Sequence, residues 1–177
     1  MAVYFISPDD VKKNSTFDVN VEDKLLLSNI IDSMEIDLYS ILGTKLYEKI
    51  YTDVETSSLS GNYKILMDDF ITPLLIKTVQ LRSLPDIWIK IREKGVLLKE
   101  DEGNSSVSIK LLNKLEDKIK SDYSVYQNRL TDYLYYNQSK FPELNGVYEP
   151  GDKQPDYRPK TFSGFYLKKS RRHKRWY

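Results

Sequence analysis

No cysteine occurs among the 177 residues, so disulfides and thiolate metal sites are excluded, which fits a reducing compartment. Histidine occurs once, as His173 within a basic run, where it reads as one more polar residue rather than a base or ligand. No GxxxxGK[ST] segment is present, and no GxGxxG opens a helix after a strand, so neither common phosphate cradle is available. No run approaches the ~18 apolar residues of a membrane span. The start MAVYFISPDD has neither a basic n-region nor a long apolar stretch, so no secretory leader is expected. Two acid pairs, Asp9-Asp10 and Asp68-Asp69, lack the ligand spacing of a dedicated cation loop. They read better as a helix start and a solvent-facing pair. These absences leave no catalytic residue, cofactor or metal site to expect, and the chain does not read as an enzyme.

What is present is unevenly distributed. The length suits one domain, or one domain with an arm. Apolar residues make up 40% and charged residues 30% of the chain, enough for a core but with much of the chain at surfaces. Tyrosine is abundant, with 14 Tyr against 6 Phe and 2 Trp. Its apolar ring and polar tip suit interfaces and half-wet positions. The net charge of +1 conceals an asymmetry. The last thirteen residues, FYLKKSRRHKRWY, hold 6 of the 27 basic residues and no acid, which leaves 21 basic against 26 acidic residues in 1–164. An acidic body with a basic tail suggests an acidic target for that tail.

Along the chain the dominant period is helical. Ser7-Pro8-Asp9-Asp10 combines an N-cap, a proline at the first helical position and acids for the first turn, which predicts a short helix over 8–14. A longer helix is predicted over 21–42, with Asn20 as cap and Leu27, Ile30, Ile31, Met34, Leu38, Ile41 and Leu42 at spacings of three and four. Gly43 ends it as a left-handed cap, and a second helix restarts at Thr44 with Leu46, Tyr47, Ile50, Tyr51 and Val54. A third helical pattern runs from about Tyr63 to Leu81, with Pro73 expected to kink it or mark a break. The period then changes. Ile87, Ile89 and Ile91 alternate with polar or aromatic residues, and Val96-Leu97-Leu98 follows Gly95, which predicts a short β-hairpin. A helix continuing through 92 is the competing reading. The longest helix is predicted over about 106–138, with a stripe of Leu112, Leu115, Ile119, Tyr123, Tyr126, Leu130, Tyr133 and Leu134. The expected architecture is therefore mainly α: a small helical bundle with one long C-terminal helix, a short β-hairpin and an extended C-terminal arm.

The body is predicted to span 1–140 and the arm 141–177. Residues 141–164 hold Pro142, Pro150, Pro155 and Pro159 together with Gly146, Gly151 and Gly164, a composition from which no core is expected. Removal of 145–177 is accordingly expected to leave the helical body folded. Tyr148, Tyr157 and Phe162 suggest an arm that docks, with a plain unstructured tail as the bland alternative. The tail's basic run is Lys168, Lys169, Arg171, Arg172, Lys174 and Arg175, bracketed by Phe165, Tyr166, Trp176 and Tyr177. Two readings stay open. The segment is a strap tip meeting an acidic protein groove, or a nucleic-acid-binding module gripping phosphates with stacked bases. On the long helix, Tyr126, Tyr133 and Tyr136 are candidate inter-subunit residues.

Several segments carry a family resemblance. The apolar–acidic helix 21–42 running into ILGTKLYEKI at 41–50 is similar to the N-terminal half of tailed-bacteriophage head–tail connector proteins, the adaptor, head-completion or neck-ring proteins beneath the portal. The start FISPDDVKKNST followed by VNVEDKLL, REKGV at 92–96 and YQNRLTDYLYYNQSKFPEL at 126–144 resemble in particular those of the crAss-like group. In the last segment the pattern is carried by Arg129, Leu130, Tyr133, Leu134, Asn137, Phe141 and Pro142. The resemblance covers about 1–144. It implies a structural virion protein, assembled in the host cytoplasm into a homo-oligomeric ring, commonly of twelve subunits. Its implied partners are the portal, adjacent neck or tail proteins and double-stranded DNA passing through the lumen, with no membrane and no cofactor. No catalytic residue is implied.

Overall fold

A computed structural model describes residues 3–17, 20–93 and 104–156, with side chains described for these except 90–93 and 104–109. Among the described residues the structure is helical and contains no strand. Helix α1 spans Pro8–Lys13, α2 Asp23–Asp32, α3 Tyr39–Glu55, α4 Gly61–Leu66, α5 Thr72–Glu93 and α6 Asn104–Tyr136. π-helical turns over Ser33–Leu38 and Met67–Ile71 join α2 to α3 and α4 to α5, and 3-10 turns cover Gln138–Lys140 and Pro142–Asn145.

The start of α1 follows from its first four residues. The Ser7 hydroxyl accepts from the Asp10 N–H at 3.1 Å, and the Asp10 carboxylate accepts from the Ser7 N–H at 2.9 Å. This reciprocal cap satisfies two donors that a short helix otherwise exposes. The next helix differs from expectation at its start. It begins at Asp23 with Glu22 in the cap position, so Asn20 is not its cap.

The two π-helical turns have a sequence cause. The buried residues Leu26, Ile30, Met34 and Leu38 repeat every four positions, as do Met67, Ile71, Leu75 and Val79. A strict four-residue repeat drifts around a 3.6-residue helix. A wider i→i+5 turn inside each run cancels the drift and keeps one face on the core. Pro73 stands at the junction where the second π-helical turn gives way to α5, the break expected of it.

The β-hairpin is corrected. Ile87, Ile89 and Ile91 lie within α5, which continues through Pro85 to Glu93, while Val96-Leu97-Leu98 fall outside the described residues. Leu84, Ile87, Trp88 and Ile91 stand at i, i+3, i+4 and i+7, so the helical stripe was present beneath the apparent alternation. Earlier contacts set the direction of the α5–α6 pair. Phe70 stacks on Tyr133 and Lys77 pairs with Asp122 at 3.4 Å, so α5 and α6 run antiparallel.

The core lies between α2, α3, α5 and the second half of α6, with Leu42, Leu46, Ile50, Leu74, Leu130 and Leu134 wholly or almost wholly inaccessible. A polar seam crosses it where α2 meets α5. The Asn29 amide donates to the Ser83 hydroxyl at 3.0 Å and to the Asp86 carboxylate at 3.2 Å, and the Arg82 guanidinium donates to Asp37 at 2.8 Å. These bonds satisfy groups that would cost free energy if buried alone.

The reading of 141–164 as unable to enter a core is also corrected. Phe141 is fully buried and Leu144 4% exposed, so the start of the arm belongs to the body. The phenyl ring lies edge-on to Tyr63 at 5.5 Å and to Tyr133 at 6.1 Å. A Pro-rich segment lacks helical period but can still insert single large residues, and composition cannot reveal that. Among the described residues no helix is long and apolar enough to cross a membrane.

Candidate docking surfaces

Three surfaces on this scaffold could meet partners. The first is internal to the protomer: a strap, residues 141–156, that returns across α3 and α4. Tyr63 donates from its hydroxyl to Glu143 at 2.8 Å, and the Tyr148 hydroxyl donates to the Glu143 carbonyl at 3.2 Å. The Lys45 ammonium donates to the Val147 carbonyl and lies 5.5 Å from the Tyr148 ring. The Tyr63 hydroxyl is pushed up to about 12, first by burial and then by the Glu143 carboxylate it contacts.

The strap ends on the kink at Gly43. This residue has φ +74° and ψ 165°, which breaks the helix as expected, though in an extended conformation open mainly to glycine rather than a left-handed cap. The break frees backbone groups, and the strap satisfies them. The Thr44 N–H donates to the Lys153 carbonyl at 3.0 Å, and the Lys153 N–H donates to the Thr44 hydroxyl at 2.8 Å. The Asp156 N–H donates to the Ile41 carbonyl at 3.1 Å. A β-carbon on Gly43 would stand 2.7 Å from the Pro155 nitrogen and 2.8 Å from the Lys153 carbonyl oxygen. Glycine is therefore required twice, for the backbone angle and for the strap's approach.

The second surface is a groove lined by Glu35, Tyr39, Tyr47, Glu48 and Tyr51. The rings form a cluster: Tyr39 lies edge-on to Tyr47 at 5.2 Å, and Tyr47 stacks toward Tyr51 at 6.3 Å with Phe5 behind both. Tyr39 also exchanges a 2.7 Å hydrogen bond with Thr44, so the groove wall is tied to the kink. Glu35 and Glu48 are exposed, and neither forms an ion pair among the described residues. The Tyr47 hydroxyl is pushed up to about 12, by burial first and by the Glu35 charge second. The groove thus offers aromatic faces with two free carboxylates at its edge. Sequence reasoning treated Tyr47 and Tyr51 as helix stripe only. The spacing Glu35, Tyr39 and then Tyr47, Glu48, Tyr51 was visible, but the kink that brings the two sets together was needed to see a site.

The third surface is the end shared by the last turns of α5 and the first turns of α6. Leu111 is 62% exposed, Leu115 37% and Ile89 53%, and from Lys110 to Lys118 no side chain is buried. Helix α6 is 33 residues long, about 50 Å. Its second half carries Leu130 and Leu134 into the core, while its first half carries Leu111 and Leu115 to the surface.

The candidate inter-subunit tyrosines divide accordingly. Tyr133 stacks on Phe70 with centroids 4.1 Å apart, so its ring is engaged within the protomer. Tyr126 is half-buried with Arg129 5.5 Å from its ring. Tyr136 is 78% exposed and remains open to a neighbour. The docking residues of the tail, Phe165, Tyr166, Lys168, Lys169, Arg171, Arg172, Lys174, Arg175, Trp176 and Tyr177, lie outside the described residues. Among the described residues no three acidic or histidine side chains stand together as metal ligands would.

A family model described as a family of unknown function (DUF6712) matches residues 38–150, from the start of α3 to just before the strap meets the kink. No curated protein and no solved structure matches the chain.

Proposed function

The chain belongs to the DUF6712 family, and we propose that it is a structural subunit of a head-to-tail connector ring in a tailed bacteriophage virion. In this reading copies assemble into a ring between portal and tail, DNA passes through the lumen, and the C-terminal arm reaches a neighbouring ring. The observation that carries it is the apolar surface at the α5–α6 end, where Ile89, Leu111 and Leu115 are 53%, 62% and 37% exposed. Exposed apolar residues gathered near one end of a helix pair suit contact with another protein. A head-to-tail contact of that patch with a different face of the next copy closes into a ring if the rotation allows. The resemblance of 1–144 to connector proteins supports the same reading. So does the acidic excess of 1–164, since negative walls let DNA slide past rather than adhere.

The test is co-expression with the portal and neck proteins of its own source, followed by reconstruction of the particle. A ring on the portal is the expected result. A protein that never joins portal or neck in such mixtures would overturn the proposal. The basic tail separates this reading from a nucleic-acid module. Reversing Arg171 and Arg172 to Glu should damage neck assembly more than DNA affinity across a salt series. The opposite pattern assigns the tail to phosphate.

A further inference from the structure

We infer that the groove of Glu35, Tyr39, Tyr47, Glu48 and Tyr51 holds the basic–aromatic segment 165–177 of the same chain. This goes beyond the connector reading, because it concerns the free subunit and does not require a ring.

Three observations converge on it. The first is charge. The groove edge carries two carboxylates with no ion pair among the described residues, and the segment carries six cations and no acid. Opposite charges at a surface fix register and steer encounter even where each pair contributes little. The second is ring chemistry. Tyr39 and Tyr51, half-buried on either side of the buried Tyr47, are aromatic groups suited to guanidinium and ammonium groups and to the rings of Phe165, Tyr166, Trp176 and Tyr177. The third is position. The last described residue, Asp156, is hydrogen-bonded to the carbonyls of Ser40 and Ile41, next in sequence to the groove residue Tyr39. Residues 157–164 separate it from Phe165. Eight residues span up to roughly 26–29 Å. A segment tethered so close to its receptor is held at an effective concentration of about millimolar, so weak contacts suffice. The strap fixed to the kink therefore delivers the tail to the groove. Part of the basic charge is then paired in the free subunit, and assembly must supply a better partner to draw the segment out.

The experiment is zero-length carbodiimide cross-linking of the full chain, read by mass spectrometry, with isotopically light and heavy protein mixed before reaction. The expected products join Glu35 or Glu48 to Lys168, Lys169 or Lys174, light to light and heavy to heavy. In full-length Arg171→Glu/Arg172→Glu protein their yield should fall by roughly fivefold or more. The amide resonances of Tyr39 and Tyr51 in that variant should shift relative to the unaltered chain. Tail lysines joined as often to carboxylates remote from the groove, such as Asp68 and Asp69, would overturn the inference. So would products found mainly between light and heavy chains, which would give the groove to a second copy. Ring formation with the portal is scored separately, so either proposal can fail without the other.

Discussion

Around Gly43, at the C-terminal end of α6, the chain returns to complete itself. Phe141 fills the core, and the backbone of Lys153 and Asp156 bonds the groups that the helix break leaves open. At the N-terminal end of α6, among the described residues, Ile89, Leu111 and Leu115 remain 53%, 62% and 37% exposed. Both ends contain apolar side chains at helical spacing. The difference lies in whether a described segment of the chain covers them. One end is over-determined, with several bonds converging on one glycine, and the other keeps apolar side chains exposed among the described residues.

The comparison is most severely tested at Phe141. Phe141→Ala should cost about 3–5 kcal/mol, as for other fully buried aromatic rings, in denaturant unfolding followed by circular dichroism. A loss below about 1 kcal/mol would place the strap outside the cooperative core. Next is Gly43→Ala, expected to cost about 2–3 kcal/mol from the strained φ together with displacement of the strap. Faster hydrogen exchange at Thr44 and Asp156 should accompany it. An unchanged exchange rate would mean that the strap does not depend on the kink. For the same reason, removal of 145–177 is now expected to lower stability, because it strips Lys153 and Asp156 from the kink.

A smaller effect is an alkaline pH dependence set by tyrosine hydroxyls. The Tyr47 and Tyr63 hydroxyls hold their protons to about 12 in the folded chain, against an ordinary value of 10.0. Below pH 10 both states keep these protons, so the contribution is fully present. Between about 10 and 12 the unfolded state releases them first, and stability falls with rising pH. The denaturation midpoint should stay level up to pH 10 as far as these groups decide it, then drop. Tyr47→Phe should remove part of the drop, and an unaltered profile would deny the burial of that hydroxyl.

The smallest effect on stability belongs to the other end. Leu111→Glu with Leu115→Glu should change the protomer's unfolding free energy by no more than about 0.5 kcal/mol, as expected for surface positions. The same pair should abolish co-assembly with portal or neck proteins. If the protomer is instead destabilised by several kcal/mol, the exposed end is part of the core and the contrast between the two ends disappears.

Much of this was legible in residues before any contact was known. The capping box at Ser7 and Asp10, the break at Gly43, the junction at Pro73 and the limits of α6 follow from local signals. The hairpin error at Ile87–Ile91 arose because three alternating isoleucines fit a strand over five residues, while the helical stripe from Leu84 needs a longer view. The arm was misjudged for another reason. Proline content announces the lack of a helix, but not whether Phe141 finds a hole to fill. The aromatic–acidic groove could not be read at all, because its residues come from both sides of a kink.

The sequence by itself determined most of the helices, the cap of α1 and the sign of charge on body and tail, since these depend on neighbours within a few positions. Only the tertiary structure decided which apolar residues are covered. Leu130 and Leu111 carry the same side chain on one helix, yet one is inaccessible and the other 62% exposed. Burial is set by what lies across the gap, and that partner is brought by chain reversal over long separations. For Gly43 the partner is Pro155, which the strap carries back to the kink.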